Sequence, residues 1–276
     1  MRRRKIRPFD LCLRILVYLF SFVTAAALIY LVGYVMARGI PYLKPSLFAL
    51  TYTSENVSVT PAIITTVIVI LMALSVALPI GIGSAIYLTE YAGRRNRFVR
   101  IIRLTTETLA GIPSIVYGLF GYLFFMIFLR FGYSILAGSM TLSIMVLPLI
   151  MRTAEEAILA VPDGLREGSF ALGAGRLSTI VKIILPSAMP GIFSGIVLAI
   201  GRIVGESAAL IYTAGTVAKV PKSVFDSGRT LAIHLFALSS EGLHTNEAFA
   251  TAVVLIMVVV LLNLLSGTIA RKWTRS

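Results

Sequence analysis

The fold class is decided by residues 61–89, which read PAIITTVIVILMALSVALPIGIGSAIYLT and contain no Asp, Glu, Lys or Arg. A helix needs about 20 apolar residues to cross the roughly 30 Å hydrocarbon core of a bilayer. This stretch is long enough to cross as one helix. It therefore predicts an integral membrane protein rather than a soluble domain.

Apolar runs of this kind recur along the chain. Of its 276 residues, 58% are hydrophobic and 13% are charged, whereas soluble domains have about 45–50% apolar and about 25% charged residues. This composition excludes a soluble module and a disordered chain, and a single cysteine excludes a disulfide scaffold. Six stretches qualify as membrane helices: Ile15–Met36, Pro61–Thr89, Thr108–Leu129, Phe131–Met151, Ser187–Ala214 and Ala248–Ala270. We predict an all-α polytopic membrane protein with about six transmembrane helices.

The distribution of lysine and arginine predicts the orientation of these helices. The net charge is +13, and the two termini together with the loops at 94–103 and 152–182 hold about three times as many basic residues as the opposite loops. Basic residues accumulate in cytoplasmic loops. We therefore expect both termini in the cytoplasm, residues 1–14 as a basic N-terminus, and residues 15–276 as a transmembrane domain of a cell-membrane protein. The charge pattern fits membrane loops and no nucleic-acid partner.

One external loop is long enough to hold a site. Residues 215–247 join the last two predicted spans and carry His234 and His244. These histidines lack the cysteines, carboxylates and short spacing of a metal site. We expect a solvated loop and no bound metal.

The cytoplasmic loop 152–186 has internal order. Pro162 and Asp163 are typical of a helix start, and the run Gly173-Ala174-Gly175 is typical of a helix stop. A second short helix should begin near Arg176 and end at Pro186. The loop therefore predicts a surface helix, a tight turn and a second helix.

The spacing within this loop resembles the E-A-A-x-x-x-G-x9-I-x-L-P signature of type I ABC importer permeases, with the two alanines replaced by other small residues. The matching positions are Glu167, Gly168, Ser169, Gly173, Ile183, Leu185 and Pro186. The resemblance implies that the first helix is a coupling helix that docks into an ATP-binding subunit. The sequence has no G-x-x-x-x-G-K-[ST] motif, so we expect ATP and Mg²⁺ on the partner subunit, no cofactor on this chain, and no enzymatic activity of its own.

Two charged residues, Arg202 and Glu206, fall inside the predicted fifth span. An arginine at the centre of a membrane helix costs at least about 2.5–3.5 kcal/mol, so it normally faces protein or a water-filled path. A spacing of four places both side chains on one helix face within pairing distance. The residues alone leave two readings open, a solute pathway and a structural ion pair. Glycines at 191, 195, 201 and 205 have the G-x-x-x-G spacing that favours close helix packing.

A narrower resemblance covers most of the chain. The runs RIVGESAALIYTAG from Arg202 and LAGIPSIVYGLFG from Leu109 are similar to those of phosphate-specific permeases of the PstA type. That resemblance implies that Arg202 and Glu206 contribute to an anion pathway. It also implies four kinds of partner: a homologous C-type permease, a pair of ATP-binding subunits, an external phosphate-binding protein, and membrane lipid.

A phosphate substrate also suits the chemistry of these two residues. Arginine is always charged and fits an oxyanion, while a carboxylate can accept a hydrogen bond from the proton that phosphate retains near pH 7 and sulfate lacks. Alternatives stay open: a permease for another oxyanion such as sulfate or molybdate, a secondary transporter that uses the pair as a proton site, or an intramembrane enzyme. The two histidines are not placed to serve as an enzyme's base, and no internal repeat typical of secondary transporters is found.

Prolines within predicted spans mark expected breaks. Pro79, Pro113 and Pro148 fall in the second, third and fourth spans, and a membrane helix tolerates such breaks where neighbours or water satisfy the freed carbonyl groups. We expect the sharpest kink at Gly111-Ile112-Pro113-Ser114.

Overall fold

A computed structural model of the protein describes residues 8–92 and 97–273. Three parts of the predicted cytoplasmic charge lie outside the described residues: the basic cluster at residues 1–7, Arg94 and Arg95 of the first such loop, and Arg275 of the tail. The regular elements of the described part are helices, in agreement with the predicted all-α fold. Their bounds are α1 Pro8–Gly39, α2 Thr60–Ile86, α3 Arg97–Ala110, α4 Ser114–Gly121, α5 Ile135–Leu159, α6 Asp163–Ala171, α7 Arg176–Thr179, α8 Leu185–Val204, α9 Ala208–Ile211, α10 Leu231–Glu241 and α11 Thr245–Trp273.

Wider π-helical turns extend several of these helices. They occupy Tyr87–Tyr91 after α2, Tyr122–Phe128 after α4, and Ile180–Ile184 between α7 and α8. Such turns are rare and are often found at functional sites. Two of the three flank the predicted coupling helix α6.

Five continuous helical segments are long and apolar enough to cross a membrane within the described residues, and a sharply bent pair makes a sixth. The five are Leu13–Tyr42, Thr60–Tyr91, Ile135–Leu159, Arg176–Val204 and Thr245–Leu264. The predicted total of about six spans is therefore confirmed, with the bent pair counted as one.

The bent pair corrects the predicted third span. Residues 108–129 do not form one helix, because Arg97–Ala110 and Ser114–Phe128 meet at an angle of 100°. The break falls at the predicted kink, where the N–H groups of Gly111 and Ile112 donate to carbonyls three residues back and Pro113 has no N–H to offer. The Tyr117 hydroxyl donates to the Leu109 carbonyl at 2.8 Å across the bend, so this carbonyl, to which Pro113 cannot donate, has a second donor besides the Ile112 N–H.

The predicted fifth span is displaced along the sequence. Its helix begins at Arg176 rather than at Ser187, because the π turn carries the chain through Pro186 without a stop. The expected end of a second short helix at Pro186 is therefore wrong. The same helix ends at Val204 instead of Ala214, and the backbone is irregular until α9 begins at Ala208.

Helices α2 and α5 form the centre of the molecule. Ser143 of α5 donates to the Ala73 carbonyl of α2 at 3.0 Å, and their apolar faces share one buried cluster with α8. Helix α8 lies close against α5 at two glycines: a Cβ atom at Gly191 would lie 2.6 Å from the Ala157 Cβ, and one at Gly195 would lie 2.6 Å from the Thr153 Cβ. The expected close packing is thus confirmed for this pair.

The second glycine pair behaves differently. A Cβ atom at Gly201 would meet nothing within 4 Å, and one at Gly205 would approach only the Gly201 carbonyl of its own turn. The predicted close helix packing is therefore not found at these two positions within the described chain.

The predicted external loop, residues 215–247, is folded in part, although residues 222–226 and 239–243 are exposed. Its chain crosses over the start of α5, where the backbone N–H groups of Ile135 and Leu136 donate to the carbonyls of Asp226 and Val224 at 2.9 Å. Helix α10 then buries one apolar face against α2 and α11. The expectation of a solvated loop is therefore wrong for α10, where leucine, isoleucine and alanine supply a buried face.

Candidate functional site

Helices α6 and α7 form a hairpin at one end of the bundle. We call it the coupling hairpin (residues 163–179). Helix α6 runs over Asp163–Ala171 as predicted. It ends at Gly173, whose φ of +79° lies in the left-handed region that favours glycine. The hydroxyls of Ser169 and Thr179 lie 2.8 Å apart and join the two arms.

The motif positions of the hairpin do not share one environment. Glu167, Gly168 and Pro186 are exposed, Ile183 and Leu185 are half-buried, and Ser169 is buried between the arms. A Cβ atom added at Gly168 would meet nothing within 4 Å, so the fold of this chain does not itself require a small residue there. Ser169, by contrast, serves the hairpin's own structure.

The tip of the hairpin presents apolar side chains. Leu172 is 90% exposed, and Leu165, Phe170 and Leu177 are also exposed. Exposed apolar side chains do not stabilise this turn in water. Exposed apolar patches of this kind mark interaction sites.

Arg202 lies in the last turn of α8 and is exposed toward a cavity of about 310 Å³ between α3, α5 and α8. Four ionisable side chains line this cavity, two arginines and two glutamates: Arg152, Arg202, Glu107 and Glu156. Arg152 Nε donates to Glu156 Oε1 at 2.9 Å. Pro148 also lines the cavity, but α5 runs through it as one helix, so the break expected there in the fourth span is not found.

Glu206 is not the partner of Arg202. It lies after the end of α8, and no ion pair within 4.0 Å joins the two among the described residues. Its Oε1 instead accepts a hydrogen bond from the backbone N–H of Ala209 at 3.1 Å, so the carboxylate caps the first turn of α9. The expectation that four-residue spacing would bring both charges together is wrong because the helix ends between them.

Sequence reasoning missed three of the four charges at the cavity. Arg152 and Glu156 were placed in a loop because the fourth span was expected to end at Met151, but α5 continues to Leu159. The Arg-Glu spacing of four, typical of a helix, was the available signal. Glu107 lies just before the predicted third span Thr108–Leu129, and the structure places it in α3 instead.

Sequence reasoning also missed a contact at the base of the hairpin. The Arg166 guanidinium of α6 lies 2.8 Å from Glu90 in the π turn that ends α2. The two residues are 76 positions apart in the chain, so no local pattern could have joined them.

His234 of α10 is fully buried, contrary to the expected solvated position. Its ring contacts Tyr52 edge-on with centroids 5.9 Å apart, and Arg229 Nη1 lies 3.5 Å from Nδ1. Burial, and secondarily the charge of Arg229, lowers the pKa of His234 to about 4. No group of three metal-ligating side chains occurs among the residues that the structure describes, and His244 lies 3.8 Å from Glu247.

The sequence matches the family model described as "binding-protein-dependent transport system inner membrane component" over residues 77–275. It is 32% identical to the probable ABC transporter permease protein YqgI of Bacillus subtilis (strain 168) over 270 residues, covering 91% of this chain and 90% of that one. It is 37% identical over 207 residues to the phosphate transport system permease protein PstA 1 of Mycobacterium tuberculosis (strain H37Rv), covering 74% of this chain and 67% of that one.

Two solved structures have a similar fold. One is the bacterial ABC transporter that imports the acidic polysaccharide alginate, with a TM-score of 0.67 at 15% identity over 95% of this chain and 97% of that one. The other is an inward-facing form of the MetNI methionine ABC transporter, with a TM-score of 0.62 at 20% identity over 78% of this chain and 94% of that one.

Proposed function

This chain belongs to the family of binding-protein-dependent transport system inner membrane components and is a permease component of an ABC importer, and we propose that the solute it carries is inorganic phosphate. The cavity beside Arg202 is the observation that carries this proposal. The 37% identity to a phosphate transport permease supports it.

The charges of the cavity suit a partly protonated oxyanion. Two guanidinium groups, Arg152 and Arg202, can donate in pairs to the oxygens of phosphate. Glu156 and Glu107 balance those charges when the path is empty. A carboxylate can also accept a hydrogen bond from the proton that phosphate keeps near pH 7. A fully deprotonated dianion such as sulfate would meet only repulsion from the same carboxylates.

Glu206 has a different part in the proposed pathway. By accepting from the Ala209 N–H, it holds the irregular segment that follows the end of α8, just beyond Arg202. We propose that this break keeps the Arg202 side chain free of a permanent carboxylate partner, so that it can hold a passing anion.

The coupling hairpin is the proposed docking element for an ATP-binding subunit. Exposed Glu167 offers a charged contact, and Gly168 permits close approach by another protein because none of the described residues occupies the space beside it. The exposed leucines at the tip add apolar area. Gly173 sets the turn, and Ile183, Leu185 and Pro186 attach the second arm to the membrane-spanning part of the helix.

The proposed assembly has four kinds of component besides lipid. A single chain with about six spans encloses half of a pathway, so we propose a homologous C-type permease as its partner. A pair of ATP-binding subunits, which would hold ATP and Mg²⁺ and perform the hydrolysis, and an external phosphate-binding protein would complete the importer. In this arrangement both termini lie in the cytoplasm, as the basic residues favour.

The direct test is ATP hydrolysis by the assembled complex in liposomes. It is measured with the binding protein outside, together with phosphate, sulfate or molybdate. We expect phosphate to stimulate hydrolysis and to accumulate inside. Equal stimulation by phosphate and sulfate would contradict phosphate selectivity, and stimulation by sulfate or molybdate alone would assign the chain to another oxyanion.

A further inference from the structure

The coupling hairpin is joined covalently to only two of the helices that surround it. Its first arm follows α5 through residues 160–162, and its second arm continues into α8. Helix α2, which packs along α5 through the centre of the molecule, has no covalent link to the hairpin. Any force that passes from α6 to α2 must therefore cross side-chain contacts.

Helix α6 has two side chains that bind inward. Ser169 contacts Thr179 within the hairpin. Arg166 reaches out of the hairpin: its Nε and Nη2 atoms donate to Glu90 Oε1 at 3.1 and 2.8 Å. Only 15% of the Arg166 side chain and 10% of the Glu90 side chain are exposed, so this ion pair is sheltered from water and from screening by salt.

The same guanidinium also fixes the joint between α5 and α6. Nη2 donates to the Ile158 carbonyl at 2.9 Å, and Nη1 donates to the Val161 carbonyl at 2.7 Å and to Asp163 Oδ1 at 3.2 Å. One planar group thus holds the last turn of α5, the first turn of α6 and the end of α2 in a fixed relation. A lysine, with a single ammonium group, could not make this set of contacts.

The second arm of the hairpin also contacts the end of α2. Arg176, the first residue of α7, donates from Nη2 to the backbone carbonyl of Glu90. Its guanidinium also lies over the Tyr91 ring, 4.9 Å from the ring centre. The end of α2 is therefore held from both arms, at the π turn Tyr87–Tyr91.

We propose that Arg166 is a positioning residue that carries movement of the coupling helix α6 to α2 through Glu90, with Arg176 as the second point of attachment. This inference rests on the proposed docking of α6 to an ATP-binding subunit. When that subunit moves α6, the ion pair draws α2 along with α5 and α8, so that all three helices of the central cluster move as one body. Without the pair, α6 can move while α2 stays behind.

The test is solute imported per ATP hydrolysed by the complete complex in liposomes. Glu90→Ala removes the acceptor, Glu90→Gln keeps its shape but removes its charge, and Glu90→Asp keeps its charge. The matched control is Glu241→Gln, the same change at an exposed glutamate that ends α10, outside the hairpin and α2.

We expect Glu90→Ala and Glu90→Gln to lower import per ATP by about fivefold or more, the lower end of typical coupling between sites. Hydrolysis should continue with the ATP-binding subunits attached. Glu90→Asp should recover part of the ratio, and Glu241→Gln should match the unaltered chain. An unchanged ratio in Glu90→Gln would overturn the proposal. Loss of the ATP-binding subunits from the Glu90→Gln complex would also overturn it, because the pair would then serve assembly.

The outcome is separable from that of the proposed function. The ratio can be measured with whichever anion the unaltered complex imports. Failure to import phosphate would therefore contradict the substrate without deciding the role of Arg166. An unchanged ratio would leave the substrate untouched.

Discussion

Replacing Arg202 with glutamine should reduce phosphate import by at least about tenfold. Hydrogen bonds to charged groups contribute about 1.5–3 kcal/mol each, and every 1.4 kcal/mol is about a factor of ten. The cavity adds a second effect. Its two arginines and two glutamates cancel, so loss of Arg202 leaves a net charge of −1 facing the anion. At about 8 Å and an effective dielectric constant of about 20, that charge costs about 2 kcal/mol for each charge on the anion.

The assay is the initial rate of labelled phosphate uptake into liposomes that hold the complete complex, with assembly checked by recovery of all subunits. The uptake rate of Arg202→Lys should lie between those of the unaltered complex and Arg202→Gln, because lysine keeps the charge but loses the paired donors. The matched control is Arg100→Gln, the same change at an exposed arginine of α3 that does not line the cavity.

A compensating variant separates the two effects. Arg202→Gln combined with Glu107→Gln returns the cavity to neutrality, so it should recover the Coulomb part of the loss while the lost hydrogen bonds persist. Uptake by Arg202→Gln within twofold of the unaltered complex, with all subunits present, would refute the assignment of Arg202 to the pathway. A double variant no better than the single one would refute the charge balance.

Three further outcomes are expected. Glu206→Gln should keep most of the transport rate because an amide oxygen can still cap α9, whereas Glu206→Ala should lower it; equal rates in uptake assays would contradict the capping role. Gly195→Val should lower the free energy of unfolding in detergent by about 1–3 kcal/mol, because its side chain would overlap Thr153, while Gly201→Ala, with open space, should leave thermal unfolding nearly unchanged. Burial lowers the pKa of His234 from 6.5 to about 4, so the folded state favours the neutral ring. The free energy of unfolding should therefore fall as the pH drops from 6.5 toward 4, by about 2 kcal/mol at pH 5. A melting temperature that responds to pH equally in His234→Gln would contradict this.

Composition and apolar periodicity were sufficient to predict the membrane class and the approximate number of spans. They were sufficient because lipid imposes one requirement on every spanning segment, an apolar length that satisfies its own backbone. Helix α6 was also predictable, since Pro162, Asp163 and Gly173 are local signals at its two ends.

The ends of the spans were not predictable in the same way. Apolar residues continue past Val204, so hydropathy gave no sign that α8 ends there, and Pro186 lies in a helix that widens rather than stops. These two boundaries decided the site. One separates Arg202 from Glu206, and the other joins the coupling hairpin to its span without a break.

Contacts between distant segments were beyond reach of the sequence. Arg166 meets Glu90 only because α2 and α5 lie side by side and bring their ends together. His234 is buried only because α10 folds back onto α2 and α11. Each depends on the path of the whole chain rather than on any spacing.

The right-angled bend at Gly111–Pro113 has a consequence for the surrounding lipid. The limb after it, Ser114–Phe128, has 15 residues and at 1.5 Å per residue reaches only about 22 Å, against a hydrocarbon layer of about 30 Å. If this limb crosses the membrane on its own, it is therefore shorter than the layer it crosses, and the amphipathic limb Arg97–Ala110 would lie along the membrane surface.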